Sequence, residues 1–387
     1  MKTIYLDNNA TSAVAPEVIE AMLPFFHDQW GNPSSMHAFG GDVKKHINKA
    51  RCQVADLIHA DPSEIIFTSC GTESDNMAIR GAVEALGSRY NVITTRVEHP
   101  AVLGPCRYLG ERGHRVHEIG VDAAGQLDLV QLGEALRDGP AVVSVMWANN
   151  ETGVIFPIPE IAAMVKAAGG VMHTDAVQAV GKLPIDVRKV PIDMLSLSGH
   201  KIHAPKGIGV LYVRKGTRLQ PFMLGGHQED SRRAGTENVP YIVGLGQAAE
   251  LAGASIGREM TMVAALRDRL ETGLLATCPD SRVNGDQVNR LPNTLNISFE
   301  YIEGESILYM MSDLGIAASS GSACASGSLE PSHVLRAMGV PFTAVHGSVR
   351  FSLSRFTTAG EIEYTLKNLP PIIAKLRIIS PFVKKSG

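Results

Sequence analysis

The chain has 387 residues, of which 44 % are hydrophobic, 5 % aromatic and 19 % charged. This composition is typical of a globular protein of two or three domains, at ~150 residues per domain, and excludes intrinsic disorder. A formal net charge of −3 leaves no basic surplus for binding nucleic acid or for electrostatic attachment to a membrane.

The N-terminal residues and the cysteines predict the cellular compartment. Polar residues 7–9 interrupt any apolar run near the N-terminus, so no signal peptide is predicted. The longest apolar stretch, about residues 141–148, is far shorter than the ~20 residues that span a bilayer. The five cysteines are widely spaced and include no C-x-x-C pair, which disfavours a disulfide framework and a zinc ribbon. We therefore expect a cytoplasmic protein without a metal site.

From about residue 65 to residue 213, β-rich runs alternate with stretches of helical periodicity. The predicted strands are Ile65–Thr68, Val92–Thr95, Val116–Ile119, Val142–Ala148, Val171–Thr174, Asp193–Ser198 and Ile208–Val213. The predicted helices between them include Glu73–Leu86, Leu127–Leu136 and Ile158–Ala168. This alternation predicts an α/β fold with a large, mostly parallel sheet of seven strands and helices on both faces. The last two strands are joined too tightly for a helical crossover, so one strand is predicted to be antiparallel.

The pattern changes near residue 255. The predicted elements there are a helix at Met260–Leu275, a strand at Thr294–Glu300, a helix at Glu303–Leu314, strands at Ile316–Ser319 and Ser348–Ser354, and a final helix that opens with the capping-box pair Thr358 and Glu361. We predict a large α/β domain at residues 16–255 and a smaller α+β domain formed by residues 256–387 with the N-terminal segment 1–15. The tail at residues 384–387 is predicted to be disordered.

Polar residues follow five of the predicted strands, at the end where open α/β sheets bind their ligands. In chain order they are Gly71 and Thr72 at a helix start, His99, Asn150, Asp175 with Gln178, and His200 with Lys201 in the segment that directly follows Ser198. Because parallel strands end at the same edge of a sheet, we expect these side chains to converge.

Each of these residues also has a simpler interpretation. Thr72 can serve as part of a capped helix N-terminus, although such an N-terminus also binds anions. His99 can be a turn residue, and Lys201 can be a solvated loop cation. His200 and His203 have the spacing of a metal-binding pair, but the sequence offers no third ligand nearby.

One cofactor, pyridoxal 5′-phosphate (PLP), accounts for the whole set. It needs a lysine for a Schiff base, a carboxylate opposite its pyridinium nitrogen, donors to its ring oxygen and a phosphate cradle. Lys201 and Asp175 are predicted to supply the first two, and Asn150 and Gln178 the ring contacts. His99 is expected to stack on the ring and to transfer protons. Thr72, Ser198 and His200 are predicted to hold the phosphate at the helix start marked by Gly71.

Nucleotide cofactors are disfavoured, since no G-x-G-x-x-G follows the first predicted strand and no P-loop motif occurs.

Two further candidates lie in the second region. Cys324 lies in a run of Gly, Ser and Ala (residues 317–328) without a bulky anchor, which predicts an accessible loop and a nucleophilic thiol. Arg350 lies within a predicted strand, where it can bind a substrate carboxylate or form a structural ion pair. The other cysteines are predicted to be buried packing residues, namely Cys52, Cys70, Cys106 and Cys278.

Nine short motifs connect the chain to a known family. They are YLDNNAT (5–11), GNPSSxH (31–37), TESDN (72–76), EH (98–99), NNExG (149–153), DAxQ (175–178), SGHK (198–201), RxGT (233–236) and SSGSAC (319–324). With them the chain resembles, along nearly its whole length, the cysteine desulfurases, which are class-V aminotransferase-like enzymes of PLP fold type I. The cysteine loop and residues 327–338 are most similar to the nitrogen-fixation branch of that family.

The resemblance implies conversion of L-cysteine to L-alanine, with PLP held by Lys201 and the sulfur carried as a persulfide on Cys324. Arg350 and Asn150 are expected to bind the substrate. The resemblance also implies a homodimer in which Thr236 reaches the partner's cofactor phosphate, and sulfur delivery to a NifU-like iron–sulfur scaffold protein for nitrogenase maturation. The alternatives are a selenocysteine lyase, another PLP-dependent aminotransferase or lyase of this fold, or a binding protein that lacks the cofactor.

Overall fold

A computed structural model describes residues 3–87, 89–320 and 331–381 of the chain. The strands are β1 (Ile4–Tyr5), β2 (Ile65–Thr68), β3 (Asn91–Thr95), β4 (Val116–Ile119), β5 (Ala141–Ser144), β6 (Val171–Asp175), β7 (Met194–Ser198), β8 (Gly209–Val213), β9 (Ser281–Val283), β10 (Thr294–Phe299), β11 (Ile316–Ala317) and β12 (Ser348–Ser352). The helices are α1 (Pro16–Met22), α2 (Pro24–His27), α3 (Ala38–Ile58), α4 (Gly71–Leu86), α5 (Pro100–Glu111), α6 (Leu129–Arg137), α7 (Ile158–Ala167), α8 (Val239–Arg258), α9 (Ala264–Thr277), α10 (Gly304–Asp313), α11 (His333–Ala337), α12 (Phe342–Val345) and α13 (Ala359–Ile379). A π-helical stretch, Glu259–Val263, joins α8 to α9.

The described residues form a sheet of seven strands in the order β2-β8-β7-β6-β5-β3-β4. β8 runs antiparallel to both of its neighbours, and the other pairs are parallel. The predicted α/β fold, with a mostly parallel sheet and one antiparallel strand, is therefore confirmed. The β7–β8 connection accounts for the exception, because it contains no helix that could carry the chain back across the sheet.

Most predicted strands agree with the structure to within a residue or two at each end. The prediction for Val142–Ala148 was wrong at its C-terminal end, because β5 ends at Ser144. Residues 145–148 are buried, and Val145 N and Trp147 N still donate to His173 O and Asp175 O of β6 at 3.2 and 2.8 Å, so contact with the sheet continues beyond the end of the strand. The predicted capping box is present at the start of α13, where Thr358 Oγ1 accepts from Glu361 N at 3.3 Å.

Alternate residues of the large sheet enter two different cores, one on each face. In β5, for example, Val143 belongs to one core and Val142 to the other. A third core lies around the antiparallel sheet β12-β10-β9 with α9, α10 and α13. It also contains Leu6, which follows β1.

The change from one core to the next occurs along the continuous helical stretch of residues 239–277. Ala252 packs in the core of the large sheet, and Val263 packs in that of the small one. Val334 and Leu335 of α11 pack against the large-sheet core. The division into domains at residues 255 and 256 stays a prediction. In the described part of the chain, no helix is both long enough and apolar enough to cross a bilayer.

Candidate active site

A cavity of about 330 Å³ lies at the carboxyl edge of the large sheet. Its lining residues are Asn9, Ala10, Cys70, Gly71, Thr72, Asp75, His99, Ala101, Met146, Ala148, Asn150, Asp175, Val177, Gln178, Ser198, His200, Lys201 and Arg350. The structure thus brings together all the predicted site residues except Thr236 and Cys324.

Lys201 enters the cavity from the 3-10 turn Gly199–Lys201 that directly follows β7. This turn needs glycine at position 199, since a Cβ there would lie 2.8 Å from Ile208 Cγ2. Lys201 Nζ donates to the main-chain oxygens of Asn9 at 2.5 Å and Ala10 at 2.7 Å. The N-terminal segment therefore crosses the site and holds the lysine, a contact that the sequence analysis missed.

Asp175 is the last residue of β6 and is 6 % exposed. Its Oδ1 accepts from Val177 N at 2.9 Å. Burial raises the pKa of Asp175 to about 6, against the opposing effects of the Val177 N–H and of Lys201. A cation bound in the cavity beside this carboxylate would keep it ionised at neutral pH.

Two more buried acids, Asp75 and Glu98, interact electrostatically with the carboxylate of Asp175. Neither was predicted as a site residue. Burial raises the pKa of Asp75 well above its ordinary value, with Asp175 adding to the shift. Burial likewise raises the pKa of Glu98 to about 8. Asp175, with a pKa of about 6, therefore ionises more readily than Glu98. Asp75 lies inside a helical pattern, and its presence in the TESDN motif is the one sequence signal that marks it.

His99 caps the N-terminus of α5, where its Nδ1 accepts from Ala101 N at 3.1 Å. Burial, with a further contribution from Lys201, lowers the pKa of His99 to about 4. The imidazole is thus neutral at pH 7. Because Nδ1 accepts a hydrogen bond, the ring proton is on Nε2.

Gly71 and Thr72, the first residues of α4, line the cavity, and the N-cap residue Cys70 makes no side-chain hydrogen bond to the helix, so this helix N-terminus can serve as an anion site. Gly71 is needed there because a Cβ would lie 2.9 Å from Val177 Cγ2. Glu73, in the first turn, pairs with Arg233 at 2.8 Å. Although burial alone would raise it, this pairing and the contact with Ser69 lower the pKa of Glu73. Arg233 thereby offsets an acid that would otherwise repel an anion.

Two side chains at the end of β7 and just after it complete this anion site. Ser198 and His200 both line the cavity, and His200 Nδ1 lies 3.1 Å from Thr11 Oγ1. Burial, with Lys201 contributing, lowers the pKa of His200 to about 4. Its imidazole is therefore neutral at pH 7 and can donate one hydrogen bond.

Arg350 lies in the middle of β12 and is 2 % exposed. Its Nη2 donates to Asp7 Oδ1 at 2.8 Å, and its Nη1 donates to the main-chain oxygen of Asn150 at 3.0 Å. Of the two interpretations of this arginine, the structural ion pair is thus present. The guanidinium also lines the cavity and has five N–H donors, so these two bonds leave donors for a ligand.

Two predicted site residues are not in this cavity. Thr236 lines a separate cavity of the same chain, next to Arg233 and Glu229. Cys324 lies outside the described residues, as does the predicted disordered tail at 384–387.

The prediction of four buried cysteines was wrong for Cys52 and Cys70. Cys52 lies on the solvent-facing side of the amphipathic helix α3, and Cys70 precedes α4 and lines the cavity. Cys106 and Cys278 are buried as predicted.

A family model and individual relatives assign the chain to the same family. Residues 4–365 match the model of the family "Aminotransferase class-V". The chain is 59 % identical to the cysteine desulfurase NifS of Azotobacter vinelandii, covering 100 % of this chain and 96 % of that protein. It is also 59 % identical to a cysteine desulfurase of Gluconacetobacter diazotrophicus, covering 99 % and 96 %.

Two solved structures are similar to the chain over most of its length. A NifS-like protein superposes with a TM-score of 0.91 at 38 % identity, covering 97 % of this chain and 100 % of the other. The protein SspA, solved in complex with cysteine, superposes with a TM-score of 0.80 at 35 % identity, covering 92 % and 99 %.

The chemistry of the donor set in the cavity fits PLP, the cofactor of this family. A lysine, a buried carboxylate and an unblocked helix N-terminus face one space, and each meets a different part of that molecule. Asp175 in particular is a buried acid whose charge needs a cationic partner, and a protonated pyridine nitrogen is one.

Proposed function

The chain belongs to the class-V aminotransferase family and is a PLP-dependent cysteine desulfurase, and on this premise we propose how its residues share the reaction. The observation that supports this assignment best is the convergence of Lys201, Asp175 and the α4 N-terminus on one cavity. When bound, PLP supplies an electron sink that weakens bonds at the substrate carbon.

Lys201 would hold the cofactor covalently through its Nζ. When that amine is free, it would take the Cα proton of the substrate. The main-chain oxygens of Asn9 and Ala10 accept from its Nζ and so keep the amine at the cavity wall. The buried carboxylate of Asp175 would keep the pyridine nitrogen of the cofactor protonated.

His99 would stack on the cofactor ring and donate a hydrogen bond through Nε2, since its Nδ1 accepts from Ala101 N and its imidazole is neutral at pH 7. Arg350, helped by Asn150, binds the carboxylate of cysteine with the donors that Asp7 leaves available. Thr72, Ser198 and His200 hold the phosphate at the helix N-terminus that begins with Gly71, and Gln178 contacts the ring oxygen.

Cys324 is the proposed sulfur acceptor. Its thiolate forms a bond with the sulfur of cysteine while the Cβ–S bond of the substrate breaks. The electron pair of that bond passes to carbon, which takes up a proton to give alanine. Cys324 is left as a persulfide, so sulfur changes carrier and no external oxidant is needed.

The oligomeric state of the protein, the acceptor of its sulfur and its cellular compartment are also part of the proposal. We infer a homodimer in which Thr236 reaches the partner's phosphate site, since Thr236 is not in the cavity of its own chain. We further propose a NifU-like scaffold as acceptor and nitrogenase maturation as the destination, because the relative from Azotobacter vinelandii carries the name NifS. Persulfide chemistry at a free thiol suits the reducing cytoplasm.

Substitution of Cys324 by Ser tests the sulfur step. We expect this variant to keep the visible absorption band of the bound cofactor but to lose alanine and sulfide formation from cysteine plus reductant. Cys52→Ser, at an exposed position, is the matched control and should keep both. Normal turnover in Cys324→Ser would refute the proposed nucleophile. Parallel assays with selenocysteine and with amino acceptors distinguish the alternative activities of this fold.

A further inference from the structure

A buried lysine that none of the proposed steps uses lies beside the active site. Lys182 is 6 % exposed and follows the tight turn after β6. The turn needs glycine at position 181, where φ is +77° and a Cβ would lie 2.8 Å from Ile202 Cγ2. It brings Lys182 Nζ within 3.0 Å of the main-chain oxygen of Gln178 and 3.4 Å of Gln178 Oε1.

The two ends of the Gln178 amide meet groups whose hydrogen-bonding roles are fixed. Burial lowers the pKa of Lys182 to about 8, so at pH 7 it is mainly an ammonium, which can only donate and requires the oxygen Oε1 on its side. The main-chain oxygen of Asn9 can only accept, and Gln178 Nε2 donates to it at 3.0 Å. Both neighbours therefore select the same amide orientation. Gln178 also lines the active-site cavity, and its Nε2 carries a second N–H.

On its other side Lys182 faces the opposite charge of Glu259, the first residue of the π-helical stretch after α8. A small cavity is lined by Lys182 together with Glu259 and Arg355. Glu259 Oε1 accepts from Arg355 N at 3.2 Å, whereas its buried Oε2 has no hydrogen-bond partner among the described residues. Burial raises the pKa of Glu259, and the charge of Lys182 opposes that shift. Lys182 thus lies between a carboxylate and the Gln178 amide.

We propose that Lys182 is a positioning residue that orients the Gln178 amide so that its N–H group, not its oxygen, faces the ring oxygen of the cofactor. This inference rests on the proposed role of Gln178 as a cofactor ligand. Without Lys182 the amide loses one of its two orienting contacts, and rotated states that present an acceptor to the ring oxygen become populated. The ring oxygen of the cofactor then loses the hydrogen bond donated by Gln178.

The test compares Lys182→Met, Gln178→Leu and the double variant. In each holoenzyme, the pH midpoint of the visible absorption change of the bound cofactor is measured. A donor to the ring oxygen favours the proton-poor form, so its loss moves the midpoint to higher pH. We expect Lys182→Met to raise the midpoint by about half a pH unit or more and to weaken PLP binding to the apoprotein by about fivefold, as for one hydrogen bond.

The double variant shows whether Lys182 acts through Gln178. We expect it to match Gln178→Leu alone, because the amide is then absent. Full additivity of the two shifts would overturn the inference, as would a shift in Gln178→Leu with none in Lys182→Met; the proposed function would survive both. No shift in either single variant would overturn the role of Gln178 as well.

A second lysine variant keeps the test decisive if Lys182→Met does not fold. Lys182→Gln retains an N–H donor but not the charge, so we expect an intermediate shift and about twofold weaker PLP binding. Wild-type values in a folded Lys182→Gln protein would then overturn the inference. Lys166→Met is the control, since Lys166 pairs with Asp193 at 3.2 Å and does not line the active-site cavity. It should leave both measurements unchanged.

Discussion

The two sheets of the molecule contribute to the active site in different ways. The large sheet supplies Asp175 from the last residue of a strand and Lys201 and His99 from the turn and helix start that follow strands. The small sheet supplies Arg350 from the middle of β12, where its backbone pairs with Asn296 of β10 and its side chain pairs with Asp7. The strand-end side chains contact uncharged backbone groups, as Lys201 does at Asn9 O and Asp175 at Val177 N. Arg350, inside a strand, is instead paired with the carboxylate of Asp7.

The largest effect is expected at Lys201. In Lys201→Ala we expect the covalent absorption band to disappear and turnover to fall by about 10⁴-fold, since the attachment point and the base are lost together. Absorption spectra and alanine formation measure the two losses. Lys166→Ala, which removes a partly exposed lysine on α7, should behave as wild type. A Lys201→Ala protein that kept the band would contradict the assignment.

Asp175 is expected to matter next, because it supports the charge of the ring rather than the bond to it. Asp175→Asn should lower kcat by about 100-fold or more while the covalent band persists, as expected when a preorganised charge is removed. Steady-state kinetics and spectra of the same preparation check both statements. Equal kcat in the variant and the wild type would remove Asp175 from the mechanism.

Substitutions at Arg350 and Asp7 test whether the small sheet contributes to substrate binding or only to an internal ion pair. If it binds the substrate carboxylate, Arg350→Gln should raise KM for cysteine by about 100-fold, with a smaller change in kcat. Asp7→Asn should lower thermal stability and change KM by less than about tenfold. A KM effect as large in Asp7→Asn as in Arg350→Gln would show that the ion pair, rather than substrate binding, explains the arginine.

The smallest effect concerns stability at Glu98, which is buried beside the large-sheet edge. Its folded-state pKa of about 8 lies above the ordinary value of 4.5, so the folded protein binds the extra proton between these pH values. The free energy of unfolding therefore falls as pH rises through this range. Glu98→Gln removes the group and should stabilise the apoprotein by about 2 kcal/mol at pH 9, with little change near pH 4.

Chemical denaturation at the two pH values measures this difference. Glu84→Gln, at an exposed position on α4, is the control and should change stability by less than about 0.5 kcal/mol at either pH. A Glu98→Gln protein with the same pH dependence as wild type would show that Glu98 does not titrate in the folded protein over this range.

The sequence predicted the large sheet and its ligand edge because strand periodicity and strand exits are local features. It could not predict that the N-terminal segment crosses the site, since the contact between Lys201 Nζ and Asn9 O joins residues 192 positions apart. The roles of Asp75 and Glu98 depend on burial next to Asp175, which also arises only in the folded chain. The motif SSGSAC predicts a nucleophile at Cys324, which stays a prediction because that residue lies outside the described part of the chain.

Chemical trapping of the cofactor tests the central claim most directly. Borohydride reduction of the holoenzyme, followed by proteolysis and mass spectrometry of the peptides, locates the lysine that carries PLP. We predict a single labelled peptide, the one that contains Lys201. Label on the neighbouring Lys182, or no labelled peptide from a coloured preparation, would contradict the account.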